Sequence, residues 1–441
     1  MNQKIALEIL KLGYNVYLTG PAGSGKTFLL NEYIKYLRSK DIEVAVTAST
    51  GIAATHMNGI TIHSWSNMGI KNEISNSDLL KLYRKPVYQK RFKKTKVLII
   101  DEISMLHAHQ LDVVDKICRF MKSEPFIPFG GLQVVLCGDF FQLPPVTKGL
   151  ERARLVYNSE AWEKMKIRIC YLEEQKRQTD SEMIRVLNDI RNQTVDNETA
   201  KIVLMREKEE IKGDIKPTRI FTHNRDVDFI NGEELEKISE KPFSYSMLLE
   251  GNKVLRDILK KGCLAPEKLV LKKGAVVMFV KNNFEKGYVN GTVGKIVGFD
   301  SETKLPIVKT STGEGVLAEP ARWEFEEGGE IKAWIKQIPL RLAWAITVHK
   351  SQGMTIDAAE IDLGKSFEYG MGYVALSRVR SLSGLKLLDI NEMAFEVDPE
   401  VVEFDKELVR MSKETEKEVT EMNWFERFKK QRKFLSSARR K

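Results

Sequence analysis

The chain is 441 residues long, with 42% apolar and 30% charged residues, a mean hydropathy of -0.30, a net charge of +9 and an isoelectric point near 9.0. That length is enough for roughly two to four domains with sizeable cores. No apolar run approaches the roughly 20 residues of a membrane-spanning helix, and the first ten residues, MNQKIALEIL, have neither the basic lead nor the cleavage site of a secretory signal.

In chain order, the N-terminal segment reads as an amphipathic helix. Buried strands are predicted at VYLTG (16–20), VAVTAS (44–49), KVLIID (96–101) and LQVVLCGD (132–139). Continuous apolar runs with helices between them predict a parallel sheet covered on both faces. Between His63 and Thr95 the pattern breaks into a polar, basic segment, read as a small subdomain inserted between strands. A second α/β core begins near Leu172, with strands at TRIFTHN (218–224), AWAITVH (343–349) and LKLLDI (385–390). Over 270–338, short alternating runs separated by Gly-rich turns predict a small antiparallel barrel inserted into that core. The tail from about 396 reads as a highly charged, solvated helix.

Charge is clustered. Residues 81–96 hold eight Lys/Arg and no acid, and residues 427–441 hold another eight and no acid. Such clusters favour a polyanionic partner. Tyr83, Tyr88 and Phe92 interleave with the first cluster, a composition suited to contacting a duplex. Cys118, Cys137, Cys170 and Cys263 fit no zinc or CxxC spacing, so reduced, buried thiols in a cytosolic protein are expected.

The sharpest signal is Gly20-Pro21-Ala22-Gly23-Ser24-Gly25-Lys26-Thr27, which satisfies G-x-x-x-x-G-K-[ST] between a strand and a helix. Backbone N–H groups freed by the glycines wrap phosphates, and the helix N-terminus adds its dipole. Lys26 is expected on the β- and γ-phosphates and Thr27 on Mg²⁺. A metal-holding carboxylate and a base for water are expected at the end of Val97-Leu98-Ile99-Ile100-Asp101-Glu102: Asp101 for Mg²⁺, Glu102 as general base. Gln142, after another buried strand, is placed to touch the γ-phosphate. Arg177 and Arg378, in the later half, are candidate fingers for transition-state charge. The histidines form no HxH or HExxH set, so no metal beyond Mg²⁺ is expected.

These residues resemble superfamily 1 helicases, and within them the PIF-type branch with its RecD-like relatives, over most of residues 1–390 and in the correct order. Gln3 resembles the adenine-reading glutamine. Thr47 to Ala54 and Gly59 to Trp65 resemble strand-contacting motifs, Asp101 to Met105 the Walker B form, and Gly138 to Pro145 the third motif. Leu342 to Thr355 and Tyr373 to Arg380 resemble the fifth and sixth. Asp115-Lys116 followed by Pro128-Phe129-Gly130-Gly131-Leu132-Gln133 sits where PIF-type enzymes carry their signature. One departure is Gln175-Lys176, where an aromatic beside Arg177 would be expected.

The resemblance implies an α/β fold of two tandem RecA-like parallel-sheet cores of the P-loop NTPase type, with a small inserted basic subdomain and an inserted β-barrel. The expected layout is a first core at 1–62 and 96–172, a wedge at 63–95, a second core at 173–235 and 336–395, a barrel-bearing insertion at 236–335 and a helical tail at 396–441. It implies an ATP-dependent, 5′→3′ DNA helicase using ATP and Mg²⁺, with Gly23, Ser24, Gly25, Phe28 and Gly353 also at the nucleotide. Expected strand contacts are Thr47, Ser49, Thr50, His63, Trp65 and Pro145 from the first core, and Thr222, Asn224, Thr347, His349 and Lys350 from the second. Hydroxyls and amides at strand ends suit phosphate contacts that read no sequence, and Trp65 is the base-stacking candidate, a core tryptophan being its alternative. Expected partners are single-stranded DNA and single/double-strand junctions, with G-quadruplex DNA left open. A monomer in a bacterial or phage-infected cytoplasm is expected. A translocase that displaces proteins and an RNA helicase remain alternatives. A one-core P-loop switch or kinase would lack the second core with its paired arginines.

Overall fold

The structure is a computed structural model, and it describes all residues except 70–72, 148–151, 179, 212–216, 224, 284, 311–312, 314, 328–329 and 440–441. The first core is a six-stranded, all-parallel sheet. Its strands lie in the spatial order Ile60–Thr61, Val44–Ala48, Val97–Asp101, Gln133–Cys137, Val16–Thr19 and Arg168–Tyr171. The four strands foreseen from apolar runs are there, and their burial on both faces explains why they read as continuous apolar segments. The second core is a four-stranded parallel sheet ordered Ala345–Thr347, Thr218–Phe221, Ala359–Leu363 and Leu385–Ile390. The predicted strand over 343–349 is shorter, because Thr347 caps a turn of helix over Val348–Ser351 by accepting from the Lys350 amide.

Antiparallel structure fills the insertion before the last strands of that core. A five-stranded sheet runs Gly315–Leu317, Pro306–Thr310, Val293–Phe299, Val276–Phe279 and Leu340–Leu342. A three-stranded sheet joins Ala321–Glu327, Glu330–Gln337 and Leu248–Gly251, and a two-stranded one joins Lys268–Leu271 to Phe243–Ser246.

The basic segment folds as two short helices, Asn76–Tyr83 and Pro86–Lys94, capped by Ser75 and started by Pro86. Its aromatics divide. Phe92 is fully buried against Trp65, ring centroids 4.7 Å apart, whereas Tyr83 is exposed. Arg91 also turns inward and donates to the carbonyls of Ser64 and Trp65. The Asp115-Lys116 signature braces this segment. The Asp115 carboxylate accepts from the Phe129 amide (2.6 Å) and pairs with Arg119 (2.8 Å), clamping a left-handed turn at Phe129, φ 51°. Lys116 reaches the Ile74 carbonyl (2.9 Å), and Lys122 the carbonyls of Phe92 and Thr95.

The tail is helical but not free in solvent, which corrects the solvated-helix expectation. Helix Pro399–Glu421, started by Asp398 and Pro399, covers the outer edge of strand Arg168–Tyr171. It buries Val401, Leu408, Ser412, Thr415 and Val419, and the Ser412 hydroxyl accepts from the Tyr171 amide (3.1 Å). An edge strand is thereby closed to outside pairing. Burial of each large aliphatic side chain there contributes about 1.5–3 kcal/mol. The last helix, Trp424–Arg439, packs on the N-terminal helix Gln3–Lys11 and its following turn through Phe434, Leu435 and Ala438. All four cysteines are buried and unpaired. Among the described residues, no helix is long and apolar enough to cross a membrane.

Candidate active site at the junction of the two cores

The P-loop leaves strand Val16–Thr19 and enters helix Lys26–Arg38 with left-handed backbone at Gly23 (φ 88°) and Gly25 (φ 86°). Space as well as φ demands glycine at 23, whereas at 25 the obstacle is the movable end of Gln3 and φ decides. A Cβ on Gly25 would lie 2.2 Å from Gln3 Nε2, and one on Gly23 would lie 2.6 Å from Arg177 Cβ. Gln3 therefore sits against the loop, donating to the carbonyls of Ser24 and Gly25 at 3.3 and 3.4 Å. Lys26 Nζ donates to the carbonyls of Gly20 and Pro21 (2.7 and 3.0 Å), and burial pushes its pKa below the usual lysine value. Thr27 and Phe28 are exposed at the mouth.

The loop fits a polyanion. The buried Ser24 hydroxyl, a donor, has no hydrogen-bond partner among the described residues. Asp101 is buried at the end of its strand, and burial raises its pKa. Glu102 follows in left-handed backbone, φ 50°. Burial, with the Asp101 charge added to it, lifts its carboxyl to about 7. Its Oε2 accepts from Gln352 Nε2 at 2.9 Å, a bond across the cleft from the second core.

Both arginine candidates come to this junction. Arg177 Nη1 donates to the Ser377 carbonyl at 3.1 Å, and burial lowers its pKa to about 10. Arg378 is 1% exposed. Its Nε donates to Val374 O (2.8 Å), its Nη1 to Ser351 O and Met354 O (3.4 Å each), and its Nη2 to Ser377 Oγ (2.6 Å). None of these acceptors carries charge. Burial, and then the neighbouring Arg177 charge, take its pKa down to about 9. Two crowded guanidinium groups with no carboxylate in contact among the described residues favour an arriving anion. Gly353, φ 78°, lies in the turn beside them.

Gln142 is buried, with its amide turned to Asp139 Oδ2 at 3.3 Å. Asp139 is the centre of a network that the sequence reading did not foresee. Arg191 Nη1 meets its Oδ1 at 2.7 Å, and the Tyr373 hydroxyl meets its Oδ2 at 3.3 Å. Arg191 Nη2 also donates to the Tyr171 hydroxyl (2.9 Å) and pairs with Asp405 of the tail (3.3 Å), with its guanidinium 4.0 Å from the Phe141 ring centroid. Tyr373 in turn accepts the Ala22 amide of the P-loop at 3.0 Å. One buried cation thus ties the third motif, the sixth-motif helix, the last first-core strand and the tail. The signal in sequence was only a lone arginine ending helix Ser181–Arg191.

The strand-contact candidates divide by burial. Thr47 donates to Ile99 O (2.6 Å) within the sheet, Thr222 bonds His223 Nδ1 (2.8 Å), and Thr347 caps its helix turn. These three are buried, as are Pro145 and Trp65. The three threonine hydroxyls are engaged within the protein and Trp65 is packed on Phe92. Ser49, Thr50, His63, His349 and Lys350 keep surface. Ser49 donates to Glu102 O (2.6 Å), linking the strand-facing end to the candidate base. Asn224 lies outside the described residues.

A family model described as PIF1-like helicase matches residues 2–201, and one described as DNA helicase Pif1, 2B domain matches 255–299. The chain is 46% identical over 458 aligned residues to an ATP-dependent DNA helicase Pif1 of Psychrobacter sp. (strain PRwf-1), covering 90% of this chain and 69% of that protein. It covers 63% of the Xenopus laevis relative, so it spans about two thirds of the length of these curated relatives. Among solved structures, Bacteroides sp Pif1 in complex with ADP-AlF4 matches at TM-score 0.80 and 32% identity, over 92% of this chain and 96% of that one. A Bacteroides Pif1 in complex with ADP-AlF3 and ssDNA matches at TM-score 0.64 and 32% identity, over 94% and 97%. The chain belongs to the PIF1-like helicase family of ATP-dependent DNA helicases.

Proposed function

We propose that this chain hydrolyses Mg-ATP between its two cores to move 5′→3′ along single-stranded DNA and open the duplex ahead. The observation that carries the reading is the meeting of second-core groups with the first-core loop: Arg177 against Gly23, Arg378 beside it, and Gln352 bonded to Glu102. Lys26 and the loop amides bind and orient the phosphates, Glu102 takes the proton of the attacking water, and Gln142 exchanges Asp139 for the γ-phosphate. The fingers neutralise charge that develops in transfer. Thr27 and Asp101 would hold Mg²⁺, which would supply neutralisation of phosphate charge. Both halves of the site come from one chain, so a monomer suffices. DNA as the strand follows the ssDNA-bound Bacteroides relative, and the helices of the basic insertion serve as the wedge.

The test is unwinding of two partial duplexes, one with a 5′ tail and one with a 3′ tail, in ATP and Mg²⁺ beside Lys26→Ala. Opening of only the 5′-tailed duplex, lost in the variant, is expected. Preference for the 3′ tail would overturn the polarity. DNA-stimulated hydrolysis with neither duplex opened would replace unwinding by translocation. A tailed G-quadruplex in the same assay tests that further substrate.

A further inference from the structure

The last helix, Trp424–Arg439, has two unlike faces. Its inner face is fastened to the first core. Arg427 pairs with Glu8 (3.3 Å), Gln431 Nε2 donates to the Tyr36 hydroxyl (2.9 Å), and Lys430 sits over the Tyr14 ring, bonded to its hydroxyl. Its outer face carries Trp424, Phe425, Phe428, Lys429, Arg432 and Lys433, all exposed. The three aromatics are 75%, 64% and 45% exposed, a large apolar area for a soluble surface to leave in water. Helical spacing of four places Trp424, Phe428 and Arg432 in one row, with Phe425, Lys429 and Lys433 in the row beside it. Trp424 and Phe428 stack with ring centroids 5.4 Å apart and planes 15° from parallel. The side chains of Lys429, Arg432 and Lys433 make no hydrogen bond or ion pair among the described residues. Three open rings beside three uncommitted cations make a surface built for flat, polyanionic matter.

We propose that this face is a second binding site for single-stranded DNA, separate from the motor's grip. Bases stack on exposed rings and phosphates pair with adjacent cations without regard to sequence. A lipid surface, the other polyanion that basic helices meet, asks for rings and cations on opposite faces, whereas here Arg432, Lys429 and Lys433 continue the same rows as the rings. The site is also in the wrong place to be part of the translocation path. The helix seats against Gly13 and Tyr14, which precede strand Val16–Thr19. The P-loop and strand-contact groups leave the opposite, C-terminal ends of the same parallel strands. A strand held there is tethered to the motor, which raises its effective concentration for the cleft. The choice of DNA as occupant rests on the helicase reading above.

Trp424 is the exposed one of six tryptophans: Trp65, Trp323 and Trp344 are buried, and Trp162 and Trp334 half-buried. Its emission therefore reports the patch directly. The full chain is titrated with oligothymidylate while fluorescence, strand stoichiometry by native mass spectrometry, and DNA-stimulated ATP hydrolysis are followed. Quenching of the exposed emission and two strands per chain are expected. Trp424→Ala/Phe428→Ala should weaken the second strand about tenfold or more and leave hydrolysis at saturating DNA unchanged. Lys429→Glu/Arg432→Glu/Lys433→Glu should lower that site's salt slope by about 2, at about 0.7 per phosphate contact. The proposal is overturned if stimulated hydrolysis is present but Trp424 stays unquenched, or if the aromatic variant binds as many strands as the parent. Quenching by phosphatidylglycerol vesicles and not by oligothymidylate would overturn it in favour of a membrane surface. Loss of stimulated hydrolysis in the parent would count against the helicase reading instead, and the quenching titration reads the tail independently.

Discussion

Replacing Arg191 by methionine keeps a stem against Phe141 and removes the guanidinium that four groups share. Asp139 is fully buried. After the change it retains only the Tyr373 hydroxyl and the Gln142 amide, both at 3.3 Å, and its own loop amide at Phe141. Burial alone would lower the arginine's pKa, but Asp139, Tyr171, Tyr373 and Asp405 together hold it well above its usual value. The guanidinium is therefore charged throughout the working pH range. Breaking a buried pair by deleting one partner costs about 3–5 kcal/mol, because the other charge is left in the interior. The Asp405 and Tyr171 contacts fall inside that estimate rather than adding to it. Removing both charges with Asp139→Asn in the same chain should restore about 2–3 kcal/mol of this loss. Urea unfolding of the four members of the cycle measures the coupling. A single variant within about 1 kcal/mol of the parent, or a double variant equal to the sum of the singles, would refute the assignment of Arg191 as the hub.

Three further outcomes are expected. Gln352→Ala removes the bond to Glu102, a hydrogen bond to a charged group worth about 1.5–3 kcal/mol, so kcat should fall about tenfold to hundredfold with KM for ATP nearly constant; a change confined to KM would place Gln352 in binding. Arg378→Lys should lower kcat about 10³-fold or more, because an ammonium cannot reach the Val374, Ser351, Met354 and Ser377 acceptors that orient the planar group; steady-state hydrolysis with DNA at saturation checks it. Burial holds His63 and His349 below their usual pKa of 6.5, so the unfolded chain takes up protons first and stability should fall as pH drops through about 6.5 toward the lowered folded values. Thermal midpoints at pH 8 and 5.5 test this, with His349→Gln showing a smaller difference than the parent.

Much of the motor was legible because its parts end long-patterned elements. Val97 to Ile100 are a buried run, and the residues that terminate it, Asp101 and Glu102, are the candidate metal ligand and base. The glycines of the loop are there for steric reasons that spacing alone exposes. Strands escaped where they were short or polar: Ile60–Thr61 has two residues, and Ala359–Leu363 alternates acids with aliphatics because only part of its surface is covered. Trp65 shows another limit. Its composition fits stacking or core equally, and only Phe92, 27 positions on, decides. Arg191 was illegible for the same reason, its partners lying 52 and 182 residues away. In the tail, Val401, Leu408 and Val419 are too widely spaced among charges to announce a buried face.

The helix that closes the edge of strand Arg168–Tyr171 bears on how the two cores move. The chain departs from that strand into the second core and comes back beside it as helix Pro399–Glu421. The second core is consequently joined to the first at two neighbouring points instead of one. A body on a single tether can swing in any direction; a body on two turns about the line between them. Of the motions open to the second core, rotation about that line, like a leaf on a pair of pins, is the one two such joins leave freest.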